Sequence, residues 1–284
     1  MRRLLTCVLA GVATFAVARP VHGQSRPLVT EDPETVPAGY VLIEGGVDYA
    51  QDVTYPVSGL RGNLWRIATF GVSFGVSSIA EVQLDGGLRN RLTITSFNVD
   101  APLFDILEVT GNKTSDFEDL SVGTKIRFLA EGPGHPAMAV RFWTRLPNAE
   151  NETGLGLDTT DFHVGMAIAK TVNSVRVAGN FGFGILADPV RGDRQNDVFE
   201  YGFSIARAVA RGAEIVGDFN GRLSTKAGDP PPGTETRAVM RVGARFTRGP
   251  VRVDGALIVG VTEIDPTWGF STGLTWVFKG FTVQ

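Results

Sequence analysis

The stretch Glu235-Thr-Arg-Ala-Val-Met-Arg-Val-Gly-Ala-Arg-Phe246 decides how the rest of the chain is interpreted, because its side chains alternate in character. Successive side chains of a β-strand point to opposite faces of a sheet. The stretch therefore predicts a strand with one ionic face and one wholly apolar face. The ionic set is Arg237, Val239, Arg241, Gly243 and Arg245, and the apolar set is Ala238, Met240, Val242, Ala244 and Phe246.

The alternation recurs in twelve candidate strands, most of them 10 to 14 residues long. Strands of soluble domains average about 5–6 residues, whereas a tilted strand needs about 9–11 residues to cross a bilayer. Their length therefore favours strands that cross a membrane. The candidates are residues 40–50, 64–76, 81–96, 119–130, 137–146, 160–170, 174–187, 197–208, 213–225, 235–246, 251–262 and 268–278.

The connections between these strands alternate between long and short, which is typical of an up-and-down barrel in an outer membrane. The sequence therefore predicts an all-β fold, a single 12-stranded antiparallel up-and-down transmembrane β-barrel over residues 40–278, followed by a short tail, 279–284. The expected long loops are 51–63, 97–118, 147–159, 188–196, 226–234 and 263–267, and the expected tight turns are 77–80, 131–136, 171–173, 209–212 and 247–250.

The N-terminus carries a basic start, a short apolar run and then small and polar residues, the pattern of a cleaved signal peptide. We place the signal peptide at residues 1–23, with cleavage after Gly23 and with Ala18 as the alternative. Residues 24–39 contain three prolines and no alternation, so we expect an extended periplasmic leader before the first strand.

Composition narrows the possible functions further. The single cysteine, Cys7, lies in the signal peptide, so disulfides do not hold the secreted chain together. Removing three arginines with that peptide leaves 27 − 3 = 24 basic against 30 acidic residues, a net charge of −6. That balance argues against nucleic acid as a partner. No later stretch approaches the ~18 consecutive apolar residues of a membrane helix.

The polar faces of the strands are the candidate pore lining. They either form a charged pore that selects its solute or pair with one another as buried ions that close a narrow barrel. Arg237, Arg241 and Arg245 are the best pore candidates, because three cations on one strand exceed what local pairing can neutralise. The full set is Arg89, Arg91, Lys125, Arg127, Arg141, Arg145, Asp161, His163, Glu200, Glu214, Asp218, Arg237, Arg241, Arg245 and Asp254.

The longest connection, residues 97–118, is unusually apolar and includes Leu103, Phe104, Ile106 and Leu107. A loop of this length can fold inward as a constriction, or it can form a short helix on the surface. We favour the constriction.

Catalysis has little support in the sequence. His163 lies on a polar face near Asp161 and is the most plausible catalytic histidine, but no Gly-x-Ser-x-Gly elbow accompanies it. Two histidines and no cysteine after the signal peptide indicate no metal site. We therefore predict that the protein is not an enzyme and needs no cofactor or metal.

Three stretches resemble the outer-membrane family named for meta-pathway (MetA-pathway) phenol degradation, also described as a transporter family. They are the leader Pro27-Leu-Val-Thr-Glu-Asp-Pro-Glu-Thr35, the glycine-rich segment 70–82 and the closing strand 269–278. The chain departs from the family pattern at Glu31, where aspartate is commoner, and in the tail after Phe278. The resemblance implies a porin-like outer-membrane channel for small, hydrophobic or aromatic compounds.

We therefore expect a channel or transporter through which small solutes cross a bacterial outer membrane passively. The expected partners are outer-membrane lipid, the barrel-insertion machinery and a small solute. A non-conducting structural or receptor-type barrel is the main alternative. A soluble periplasmic β-barrel binding protein is a further alternative, and it would need its apolar faces to point inward.

Overall fold

The computed structural model describes residues 26–192 and 194–283. The predicted signal peptide, both candidate cleavage positions and Cys7 lie outside the described residues. The described part of the chain contains no helix long and apolar enough to cross a membrane. Its strands are β1 Tyr40–Tyr55, β2 Leu60–Gly75, β3 Ala80–Phe97, β4 Lys113–Asp116, β5 Leu120–Leu129, β6 Ala137–Leu146, β7 Asp161–Val172, β8 Val175–Ala187, β9 Gln195–Ala210, β10 Ala213–Ser224, β11 Arg237–Arg248, β12 Val251–Gly260 and β13 Trp268–Lys279.

The strands form one closed antiparallel barrel. β1 pairs with both β2 and β13, β2 pairs with β3, β3 pairs with both β4 and β5, and from β5 onward each strand pairs with the next one in the chain. β4 and β5 share one position in the ring, because residues 90–93 of β3 pair with β4 and residues 80–85 pair with β5. The barrel therefore has twelve wall positions, and the predicted 12-stranded up-and-down barrel is confirmed.

Two of the predicted loops are wrong in detail. The connection predicted over 51–63 shrinks to residues 56–59, because β1 and β2 continue their ladder to the pair Tyr55 and Leu60. Leu60 is fully buried among apolar neighbours, which holds this extension in place. The loop predicted over 97–118 contains a short 3-10 helix, Phe104–Ile106, and the strand β4.

The two ends of the barrel differ in their connections. We name the end that carries residues 76–79, 130–136, 173–174, 211–212 and 249–250 the turn end, because four of these five connections have two to four residues. The opposite end, which carries the longer segments 98–112, 147–160, 225–236 and 261–267 together with the short 56–59 connection, is named the loop end.

The barrel wall is apolar outside and polar inside. In β11 the outward side chains Met240, Val242 and Phe246 are each about half exposed, whereas the inward Arg245 is buried. Because apolar side chains on this scale rarely face water, the outer surface has the character of a lipid-facing wall. Three aromatic side chains, Tyr49, Trp65 and Trp268, form a belt on the outside of the loop-end half. The centroid of the Tyr49 ring lies 5.0 Å from that of Trp65 and 5.5 Å from that of Trp268.

The inside and outside faces exchange within β2 and β3. Ala68 adopts a left-handed conformation with φ of 54°, and the inward positions change from odd residues at Thr69 to even residues at Leu64. The same change occurs in β3, where Glu81 and Leu92 are both fully buried although their numbers differ in parity. A paired irregularity of this kind turns each following side chain to the other face.

Candidate functional site

The barrel interior is partly filled by the segment that precedes β1, residues 26–39, which we name the N-terminal segment. Its backbone amides are bound by inward side chains: the Asp218 carboxylate accepts from Thr30 N–H at 3.1 Å, and Glu81 accepts from Val36 N–H at 2.5 Å. Buried amides require such partners. The expected periplasmic leader is thus extended, but it lies within the barrel.

Carboxylates of the N-terminal segment also pair with cations on the wall. Lys125 Nζ lies 3.0 Å from Glu31 Oε1 and 3.0 Å from Glu81 Oε1, and its side chain is fully buried. Towards the turn end, Arg176 binds Asp32 at 2.5 Å, and Arg127 pairs with Glu34. Lys125, Arg127 and Arg176 therefore serve to hold the segment.

The charges around the segment keep its carboxyl groups ionised. Burial alone raises the pKa of Glu31, but the charges of Lys125 and Arg141 and hydrogen bonds from Gln83 and Lys125 outweigh it, and the pKa falls to about 2. Burial likewise raises the pKa of Asp32, and the hydrogen bond and charge of Arg176 bring it below its usual value. Both groups are anions at neutral pH.

Small residues in the wall make room for the segment. A Cβ added at Gly273 or Gly46 would collide with the Arg26 guanidinium, which lies 3.6 Å from the Asp254 carboxylate. At Gly202 an added Cβ would come within 2.7 Å of Thr30 Oγ1. Glycine allows this close approach because it has no side chain.

Two adjoining cavities remain in the interior. The central cavity, about 800 Å³, runs beside the N-terminal segment from Arg26 to Glu31. The loop-end cavity, about 610 Å³, is bounded by the outer part of β1 and by loop residues such as Leu155 and Pro232. Arg66, Trp143 and other residues line both cavities, so the two spaces meet inside the barrel.

Most of the predicted pore residues are ion-paired within this interior. Arg241 lies 3.5 Å from Asp218, Arg245 lies 2.7 Å from Glu214, and Arg145 bonds to both Asp119 and Asp161. The remaining pairs are Lys125 with Glu31 and Glu81, Arg127 with Glu34, Arg141 with Asp85, His163 with Glu200, and Asp254 with Arg26.

Arg237 is the exception on the inward face. Within residues 26–192 and 194–283 it forms no ion pair, and its Nη2 donates to the Thr54 carbonyl oxygen at 3.2 Å. The three inward arginines of β11, grouped together in the sequence, therefore divide into two that form ion pairs and one that does not.

Arg89 and Arg91 lie outside the lumen, contrary to the prediction. They follow the exchange of faces in β3, so both are exposed on the outer wall, and Arg91 stands opposite Trp65. The signal that could have indicated this exchange is the Gly86-Gly87 pair, since glycine pairs within strands often mark irregularities.

His163 belongs to a stack of side chains on the lumen side of the neighbouring strands β6 and β7. Its ring lies 4.8 Å from the Trp143 ring at an interplanar angle of 5°, and the Arg141 guanidinium covers Trp143 at 4.6 Å. His163 Nδ1 lies 3.0 Å from Glu200, whereas Asp161 is bound by Arg145. Trp143 was missed in the sequence, although its spacing with Arg141 and Arg145 places all three on one face.

The candidate constriction loop packs at the loop end. Leu107 contacts the buried cluster that contains Leu60 and Leu92, and Phe104 packs edge-on against Phe97 with centroids 6.1 Å apart. None of Leu103, Phe104, Ile106 and Leu107 lines either of the two cavities described above. Across the described ranges, no group of three histidine, cysteine or acidic side chains could hold a metal.

The barrel is similar in fold to known outer-membrane proteins. The chain is similar to an outer membrane channel from Pseudomonas putida F1, with a TM-score of 0.62, 12% identity, and coverage of 87% of this chain and 98% of that one. It is also similar to the KdgM porin, with a TM-score of 0.50, 8% identity, and coverage of 84% and 99%. At these identities the likeness concerns the fold alone. No protein of curated function matches the sequence. Residues 24–250 match a family model, and the chain therefore belongs to the family described as "Putative MetA-pathway of phenol degradation".

Proposed function

We propose that this protein is an outer-membrane channel that lets small solutes pass passively through the barrel interior. The observation that carries the proposal is the pair of adjoining cavities, about 800 and 610 Å³, beside the N-terminal segment. A space of about 300–1,000 Å³ accommodates a molecule of drug size. Solutes of that size or smaller are the expected cargo.

The orientation follows from the two ends of the barrel. Outer-membrane barrels have short turns on the periplasmic side and longer loops outside. The loop end is therefore the outer mouth, and the turn end faces the periplasm. Outer-membrane lipid surrounds the apolar outer wall, and the barrel-insertion machinery places it there.

Apolar side chains at the outer mouth favour solutes with a hydrophobic part. Leu64, Val53 and Leu155 line the loop-end cavity and pack near the buried Leu60 cluster. The description of the family mentions phenol degradation. We extend this to small hydrophobic or aromatic compounds as the cargo of this chain.

We also propose that the protein acts without catalysis. The ring of His163, the strongest catalytic candidate, is stacked on Trp143, and its Nδ1 is engaged by Glu200. A histidine held in this way is a structural element of the pore wall.

Single-channel recording in a planar bilayer tests the proposed function. The refolded protein, checked for heat-modifiable migration in gels, is expected to give discrete conductance steps, and liposomes that contain it should swell in small solutes but not in large oligosaccharides. A heat-modifiable barrel that inserts and gives neither steps nor swelling would instead establish a non-conducting barrel.

A further inference from the structure

The loop-end cavity contains two arginines that face each other across neighbouring strands. Arg222 of β10 and Arg237 of β11 are direct partners in the antiparallel ladder, and both line this cavity. Like charges placed opposite one another on a sheet repel. An anion placed between the two guanidinium groups reduces this repulsion.

Carboxylates of the chain approach this pair only loosely. Arg222 donates to the carbonyl oxygens of Glu235 at 3.1 Å and Gly233 at 2.5 Å, and its closest carboxylate oxygen, on Glu235, lies 3.9 Å away. Arg237 Nε is buried without a hydrogen-bond acceptor. Glu200, opposite Arg222 on its other side, is engaged by His163.

Other arginines of the same cavity are fully paired. Arg66 bonds to both Asp48 and Glu118, and Arg145 bonds to two aspartates. Arg222 and Arg237 are therefore the least closely paired arginines of this cavity. Since a guanidinium matches a carboxylate in a two-point geometry, this pair has the chemistry of an acid-binding site.

An apolar surface lies in the same cavity. Val53, Tyr55, Leu64 and Leu155 line it, and they pack around the buried cluster of Leu60 and its neighbours. A ligand that meets both surfaces needs one anionic group and one short hydrophobic body. The volume of about 610 Å³ is sufficient for such a molecule.

We propose that Arg222 and Arg237 form a binding site for small organic carboxylates, whose apolar part rests on the Leu64 side of the loop-end cavity. This inference rests on the proposed function, because the site lies on the path that a solute would follow. It makes the outer mouth selective for amphipathic anions.

Calorimetric titration of the refolded protein with hexanoate tests the site, with hexanol and hexylammonium as comparison ligands. We expect hexanoate to bind at least tenfold more tightly than either comparison ligand. Arg237→Gln and Arg222→Gln should each weaken hexanoate binding about tenfold. The control is Arg207→Gln, an exposed arginine on the outer wall of β9, which should bind hexanoate as the wild type does.

The outcomes separate the site from the channel. Equal binding of hexanoate and hexanol, or tight hexanoate binding by both lumen variants, overturns the carboxylate site even if the protein conducts. Tight, arginine-dependent binding by a barrel that never conducts supports the carboxylate site and contradicts the proposed passage of solutes through the barrel. Gel mobility after heating verifies that each variant is folded, and either single variant suffices if the other does not fold.

A second, independent observation concerns the outer wall. Arg89, Arg91 and Lys113 are exposed there, on the adjacent strands β3 and β4, and no ion pair of theirs occurs in the part of the chain that the structure describes. Arg91 stands opposite Trp65, within the aromatic belt of the loop-end half. Three cations on a lipid-facing wall are costly unless anionic headgroups meet them.

We infer that this cluster binds the phosphate groups of lipids in the leaflet at the loop end. Heat denaturation in nanodiscs tests it: a bisphosphorylated glycolipid should raise the midpoint of the wild type and of Arg207→Gln relative to neutral lipid. The variant with Arg89→Gln, Arg91→Gln and Lys113→Gln should lose that rise. A rise that survives in the triple variant, or no rise in the wild type, overturns the inference.

Discussion

The turn-end and loop-end halves of the lumen use the same inward pattern of charges for different purposes. In the turn-end half, Lys125 and Arg176 bind carboxylates of the N-terminal segment. In the loop-end half, Arg237 has no carboxylate of its own within the described ranges. A cation on the wall therefore becomes a structural anchor or a solute-binding group according to whether the chain delivers an anion to it.

Removing the N-terminal segment should abolish this difference between the two halves. Of the changes described here, it should have the largest effect on single-channel conductance. Deletion of residues 27–37 opens the turn-end half, because these residues supply the carboxylates that now fill it. We expect single-channel conductance to rise severalfold, since the segment is the main obstruction beside the central cavity. An unchanged conductance in a folded deletion variant would show that the segment does not limit passage.

Breaking one anchor should loosen the segment without deleting it. Lys125→Met leaves Glu31 and Glu81 buried without their cation. Loss of one partner from a buried ion pair costs about 3–5 kcal/mol. We expect a lower free energy of unfolding and faster proteolysis of the N-terminal segment. Lys226→Met, at an exposed loop lysine, is the matched control and should behave as the wild type.

Acidification should release the segment gradually. The pKa of Glu31 is about 2 in the folded protein against an ordinary 4.5, and that of Asp32 is also lowered. A lowered pKa contributes stability that is complete above the ordinary value and is lost as the pH falls towards the folded value. Between pH 4.5 and about 2 the carboxyl groups of the segment are therefore protonated and its ion pairs with the wall are lost. Single-channel conductance should increase over this interval.

Comparison of two variants isolates this pH effect. Glu31→Gln removes the titrating group, so its conductance should start higher and change less over the same acidic interval. A wild-type conductance that stays constant from pH 5 to about 2 would contradict the anchoring role of Glu31.

Much of the barrel follows from local sequence, whereas the content of its lumen does not. The alternation in β11 predicts the strand, its faces and its inward arginines, because side-chain direction depends only on position along the strand. The pairs of Glu31 with Lys125 and Asp32 with Arg176 join residues 94 and 144 positions apart. No local periodicity indicates such contacts, so the sequence predicts only an extended periplasmic leader ahead of the first strand.

Some features of the candidate site likewise follow from local sequence, and others depend on contacts with distant strands. That Arg237 faces inward could be predicted, but its lack of a carboxylate partner among the described residues depends on where the acidic side chains of other strands lie. The outward placement of Arg89 and Arg91 depends on an irregularity beside Ala68 on the neighbouring strand. A strict period of two cannot anticipate it.

The smallest effect on stability should come from Arg237 itself. Arg237→Gln leaves no carboxylate without its cation, so we expect the free energy of unfolding to change by less than about 0.5 kcal/mol. Arg145→Gln, the reference variant, leaves Asp119 and the buried Asp161 unpaired and should cost about 3–5 kcal/mol. Urea-induced unfolding of both variants in lipid vesicles measures the difference. If both changes cost the same, Arg237 is a structural residue like the anchors, and the two halves of the lumen do not differ in the way described above.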